Sequence, residues 1–90
     1  MKLEAALFNW LQIRLVADAR PEDRAALDTV VFFEQILTED HGLTRFEVAG
    51  SDDTMMHVRY EKDGRSKLQL FPREDAMQLL ADIDSNPKYN

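Results

Sequence analysis

The chain has 90 residues, no cysteine, and 17 acidic against 11 basic side chains, a formal net charge of −6. The length suits one domain, and the lack of cysteine excludes disulfide scaffolds, thiolate zinc sites, iron–sulfur clusters and cysteine nucleophiles. The negative charge opposes non-specific binding to nucleic acid or anionic membranes. A secretory signal needs about 7–15 consecutive apolar residues and a membrane helix about 20. No such run occurs, and we therefore predict a cytoplasmic protein.

Two helices are predicted in the first half of the chain. Apolar residues at helical spacing indicate a first helix over about residues 2–17. Pro21 ends this segment, because the residue before a proline avoids the α region, and it suits the first position of a second helix. This second helix is predicted over 21–41, with Gly42 as its C-terminal cap. The apolar face of the first helix consists of Leu3, Leu7, Trp10 and Leu11. That of the second helix consists of Ala26, Val30, Phe33 and Leu37.

The second half changes to the two-residue alternation of β-strands. Asp63-Gly64 is typical of a two-residue type I′ hairpin turn, in which both residues need a positive φ. Phe71-Pro72 leads into a last helix with acidic residues in its first turn. The predicted elements are strands at about 43–49, 55–62 and 66–71, a helix at 73–84 and a frayed tail at 85–90.

These elements predict an α+β fold, with residues 1–90 forming one domain. Their order is α-α-β-β-β-α, a three-stranded antiparallel meander with the helices packed on one face. A bare meander would be marginal in water, so the helices are expected to cover its apolar face. We assign to that face Phe46, Val48, Met56, Val58, Tyr60, Leu68 and Leu70.

Catalytic and metal-binding patterns are weak. His41 and His57 are 16 residues apart and match no zinc spacing, and His41 beside Glu39 and Asp40 is typical of a solvated helix end. His57 is the best candidate for a general base, but the alternating charges beside it are typical of an exposed sheet face. Three scattered glycines form no phosphate loop. We therefore predict a protein that is not an enzyme, with no metal and no cofactor.

Four cations around the hairpin suggest an alternative function, binding of RNA or DNA phosphates. They are Arg59, Lys62, Arg65 and Lys67. The α-β-β-β-α order of about the last 65 residues is similar to that of double-stranded-RNA-binding domains, whose final helix starts with lysines. Glu74 and Asp75 occupy that start here.

The second helix has a wider apolar arc than one packing interface requires. Leu27 and Val31 form a second ridge, and Phe32 lies on the other flank. Either this helix is central, between the sheet and the first helix, or part of it contacts another chain. Trp10 and Arg14 are residue types enriched at contact centres, and Arg14 is expected to snorkel or to pair with an acid such as Glu34. We predict protein–protein contact, with a homodimer favoured, through Trp10, Arg14, Leu27, Val31 and Phe32.

Overall fold

A computed structural model describes residues 1–85 and confirms the α+β class and the order of the elements. Of the tail predicted at 85–90, Ser85 caps the last helix, and 86–90 lie outside the described residues. The elements are α1 (Leu3–Ala19), α2 (Arg24–Gln35), a π-helical turn (Ile36–Asp40), β1 (Leu43–Ser51), β2 (Met55–Lys62), β3 (Arg65–Pro72) and α3 (Arg73–Asp84).

The three strands form an antiparallel sheet in the order β1-β2-β3, so β2 is central. Asp63 and Gly64 have φ values of 54° and 75°, as a type I′ turn requires. The two residues that flank this turn, Lys62 and Arg65, therefore pair directly with each other. This pairing determines which side chains of β3 share a face with those of β2.

The register contradicts the prediction that Leu68 and Leu70 face the helices. Leu68 pairs with Arg59 and Leu70 with His57, and both leucines lie on the face of the sheet opposite the helices. They are 50% and 42% exposed. Phe71, which pairs with Met56, is the buried side chain of β3 instead. Across this two-residue turn, the even-numbered residues of β2, which face the helices, pair with odd-numbered residues of β3. The even-numbered Leu68 and Leu70 therefore face the other way.

The helix at the centre of the fold is α1, which rules out the alternative of a central second helix between the sheet and the first helix. α1 packs against both α2 and α3. Its ring contacts reach both outer strands, from Phe8 to Phe71 at 5.4 Å and from Trp10 to Phe46 at 5.4 Å. The side chains of α1 buried in the core are Ala6, Leu7, Trp10, Leu11, Ile13, Val16 and Ala17.

α2 is shorter than predicted at both ends. Asp23, not Pro21, starts the helix, because its carboxylate accepts a hydrogen bond of 3.1 Å from the Ala26 amide and caps the first turn. The α-helical hydrogen bonding ends at Gln35 and gives way to the π-helical turn. Gly42 follows with a φ of 67°, which suits a glycine beyond a helix end.

Candidate interaction surfaces

α2 carries exposed apolar side chains on both flanks of its solvent side. Ala26 and Val30 point into the core, and Leu27, Val31 and Phe32 point away from it, with exposed fractions of 41%, 52% and 55%. A single exposed apolar side chain is ordinary, but three within two turns of one helix are more than the usual scatter. We call these three residues the α2 face.

Phe32 is held in place by its neighbour. Its ring contacts the half-buried ring of Phe33 edge to face, at a centroid distance of 5.2 Å. An open depression of about 190 Å³ lies beside Phe32, where the α-helix passes into the π-helical turn. Gln35 and Ile36 contribute to its wall, and Glu39 and Asp40 supply an acidic rim. The exposed ring therefore stands next to a shallow, open depression of mixed polarity.

Trp10 and Arg14 do not belong to the α2 face. Trp10 is only 3% exposed, and its indole Nε1–H donates a hydrogen bond of 3.2 Å to Glu34 Oε2. Arg14 was expected to snorkel or to pair with an acid such as Glu34, and the acid with which it pairs is Asp18, at 3.3 Å. The Glu34 carboxylate is bonded by Trp10 instead. Both side chains line a different groove, between α1 and β1. Trp10 is thus a core residue that connects α1 to α2.

The four cations of the hairpin divide between the two faces of the sheet. Arg65 pairs with Lys62, and Lys67 pairs with Tyr60, so these three cations share the helix side of the sheet. They line an open depression of about 440 Å³ together with Asp63. Arg59 pairs with Leu68 on the other face and does not join them.

Asp52 organises the turn between β1 and β2. Its Oδ1 accepts hydrogen bonds from the amides of Thr54 and Met55, at 2.9 and 2.8 Å, and its Oδ2 lies 3.2 Å from His57 Nε2. These contacts lower the pKa of Asp52 from 3.8 to about 2, and the hydrogen bond from the Thr54 amide has the largest effect. The arrangement has a structural explanation, since a carboxylate that accepts two main-chain amides stabilises a tight turn.

The exposure of Leu68 and Leu70 is the feature that the sequence prediction missed. A signal for it was present, because a two-residue turn at Asp63-Gly64 sets the pairing of every residue in the hairpin. Counting outward from the turn pairs Arg59 with Leu68 and Tyr60 with Lys67, as observed. The alternation of β3 alone does not show which of its two faces is the buried one.

Comparisons with protein-family models, with curated proteins and with solved structures found no match to this chain. Within residues 1–85, no cluster of three or more histidine, aspartate or glutamate side chains could hold a metal ion. No helix in the same part of the chain has the length and apolar character needed to cross a membrane.

Proposed function

We propose that the protein is a small cytoplasmic, non-enzymatic interaction module that acts through protein–protein contact, and that the α2 face is its contact surface. The exposure of Leu27, Val31 and Phe32 on one helix supports this proposal most directly. Removing such side chains from water is favourable, and half-exposed residues of this size contribute on the order of 1 kcal/mol each. The depression beside Phe32 adds the concave shape that a contact surface needs.

We propose a second copy of the chain as the partner at the α2 face. A domain of this size has a small core, and self-association adds buried apolar area to it. In a two-fold symmetric dimer the same surface of each copy forms the contact, so no other protein is required. The contact set differs from the predicted one, since Trp10 is buried in the core and Arg14 lines another groove.

Sedimentation equilibrium over a range of protein and salt concentrations tests this proposal. We expect the wild-type mass to rise with concentration, and Val31→Glu to remain monomeric with an unchanged circular dichroism spectrum. Leu68→Glu is the matched control, because Leu68 is as exposed as Val31 but lies on the sheet. Association that Leu68→Glu abolishes and Val31→Glu leaves intact would contradict the proposal, as would a monomeric wild-type protein.

Nucleic-acid binding through the hairpin is the second candidate function. The grouping of Lys62, Arg65 and Lys67 in one depression supports it. We rank it second because Arg59 lies on the opposite face, and because the rest of the chain is acidic. Residues 59–67 contain four basic and two acidic side chains, a charge of +2, which leaves −8 for the remainder. Retardation of RNA at low salt that is lost when the three cations are neutralised would favour this function.

A further inference from the structure

We propose that the free edge of β3 binds an extended, acidic segment of a partner protein as a fourth strand of the sheet. Such strand addition combines main-chain hydrogen bonds with side-chain contacts on both faces of the new strand. The surface is separate from the α2 face, and the proposal does not depend on the dimer. It rests on three features of β3: its main chain, its side chains and the depression at its C-terminal end.

The main chain of β3 presents hydrogen-bonding groups at the edge that point away from β2. Lys62 and Arg65 flank a two-residue turn and form a hydrogen-bonded pair, so every second residue of β3 after Arg65 turns its N–H and C=O away from β2. The Leu70 carbonyl agrees with this geometry, because it accepts a long bond of 3.4 Å from the Gln69 side chain rather than one from β2. The residues with outward main-chain groups are Ser66, Leu68 and Leu70.

The two edges of the sheet differ in regularity. β1 shifts its register against β2 twice, between Leu43 and Arg45 and between Val48 and Gly50. Such irregularities bend a strand and protect an edge from further pairing. β3 pairs with β2 without a shift over its whole length. Of the two edges, β3 is therefore the one that retains the straight template a new strand requires.

The side chains of β3 specify the chemistry of the partner. Leu68 and Leu70 are exposed on the outer face and would contact apolar side chains of an added strand. On the helix side, Arg65 lies directly opposite Lys62, with Lys67 two residues further along. Like charges in direct cross-strand pairs destabilise a hairpin, and among residues 1–85 none of these three cations lies within 4 Å of a carboxylate. Acidic side chains on the added strand would neutralise them.

An apolar depression marks the other end of the same edge. It has a volume of about 430 Å³ and is lined by Ala5, Phe8, Phe71 and Pro72 together with the charged side chains of Lys2, Glu4 and Asp75. Phe71 lies on the helix side of β3, as Lys67 does. The helix side of the edge therefore changes from cationic at the hairpin to apolar at the C-terminal end. An antiparallel partner strand would place an apolar side chain near its start and acidic ones near its end.

These features describe a peptide of the sequence Phe-Val-Thr-Val-Glu-Thr-Glu, running antiparallel to β3. Its phenylalanine would lie opposite Phe71, its two valines opposite Leu70 and Leu68, and its two glutamates opposite Lys67 and Arg65. A second copy of β3 fits less well, because its residues 65–72 contain no acidic side chain that could neutralise Lys67 and Arg65. The acidic peptide is thus favoured by charge over self-pairing.

The experiment measures binding of this peptide, fluorescently labelled, to the full chain by anisotropy, beside a control peptide with both glutamates replaced by lysine. We expect the glutamate peptide to bind at least about tenfold more tightly than the control and to weaken as salt is added. Amide exchange followed by NMR should slow on binding at Ser66, Leu68 and Leu70. The amides of Lys67 and Gln69, which bond to β2, should be protected already without the peptide.

Two variants of the chain complete the test. Leu68→Pro removes an outward amide without taking a hydrogen bond from β2 and should weaken binding about tenfold; preserved protection at Lys67 shows that its sheet is intact. Lys67→Glu should weaken binding of the glutamate peptide and strengthen that of the lysine control. Val31→Glu should bind as the wild type does, which separates this proposal from the one for the α2 face.

Equal binding of the two peptides, or unaltered affinity in both variants, would overturn the proposal. Protection of Ser66, Leu68 and Leu70 that rises with protein concentration alone would assign the edge to a second copy. Tighter binding of a single-stranded RNA oligonucleotide to the same cations would assign the hairpin to nucleic acid.

Discussion

The first two helices of the chain, α1 and α2, both carry apolar side chains over a wide arc, but their surroundings are very different. α1 buries residues around more than half of its circumference, because it contacts α2, α3 and, through Phe8 and Trp10, both outer strands. α2 buries only Ala26 and Val30 and leaves Leu27, Val31 and Phe32 in solvent. A wide apolar arc is thus explained by a central position in α1, and we propose that in α2 it serves as a contact surface.

The largest expected effect tests the central position of α1. Leu11 is completely buried, and Leu11→Ala should lower the free energy of unfolding by about 2–5 kcal/mol, since a cavity is left behind. Leu27→Ala makes the same chemical change on the exposed side of α2 and should cost well under half as much. Urea denaturation of both variants measures the difference. Equal losses would show that α2 is as much a part of the core as α1.

Two adjacent valines sharpen the comparison within α2. Val30 is buried and Val31 is 52% exposed, while the change in helix propensity on replacement by alanine is the same for both. Val30→Ala should destabilise the monomer by about 1–3 kcal/mol. Val31→Ala should leave its stability unchanged or slightly raised. Unfolding must be measured at a concentration low enough to keep both variants monomeric. A larger loss from Val31→Ala would refute the assignment of faces.

The bond between Trp10 and Glu34 connects the two helices and should have a smaller effect. Glu34→Ala removes the acceptor of a part-buried indole N–H and should cost about 0.5–1.5 kcal/mol. Glu34→Gln keeps an oxygen that can accept the bond and should recover most of that loss. Tryptophan fluorescence during urea unfolding reports on both variants. Equal losses in the two would mean that the hydrogen bond contributes nothing measurable.

The smallest expected effect concerns the pKa of Asp52. Its titration also serves as a control that the variants in both helices keep the fold. The folded-state pKa of Asp52 lies at about 2, below its ordinary value of 3.8. The stability that this carboxylate contributes is therefore complete above pH of about 4 and is lost as the pH falls toward 2. An NMR titration of Asp52 should give the low midpoint in wild type and in Val31→Glu alike. A midpoint at the ordinary value would mean that the turn holds the carboxylate differently in solution.

Much of the fold could be predicted because local signals were strong. Helical spacing identified α1, two-residue alternation identified the strands, and Asp63-Gly64 identified the hairpin turn. The ends of α2 were harder, since an Asp23 cap and a Pro21 start are both sound helix beginnings. The choice between them depends on how the chain leaves α1, which is a tertiary property.

The candidate surfaces were predicted only in part, for a physical reason. Periodicity shows that Leu27 and Val31 share a ridge, but burial depends on what packs against that ridge. Periodicity likewise does not show whether Trp10 is buried. Its burial depends on contacts with Phe46 of the sheet and with the Glu34 carboxylate, both distant in sequence. The face occupied by Leu68 needed only the turn geometry and could have been derived from the sequence.

The most direct test of the α2 face is a dilution series followed by methyl NMR. If the face meets a second copy, the methyl signals of Leu27 and Val31 will shift with protein concentration. Those of Val30 and Leu11, which are buried in the monomer, will stay constant. Signals that are constant at all four residues, or shifts confined to Leu68 and Leu70, would contradict the account.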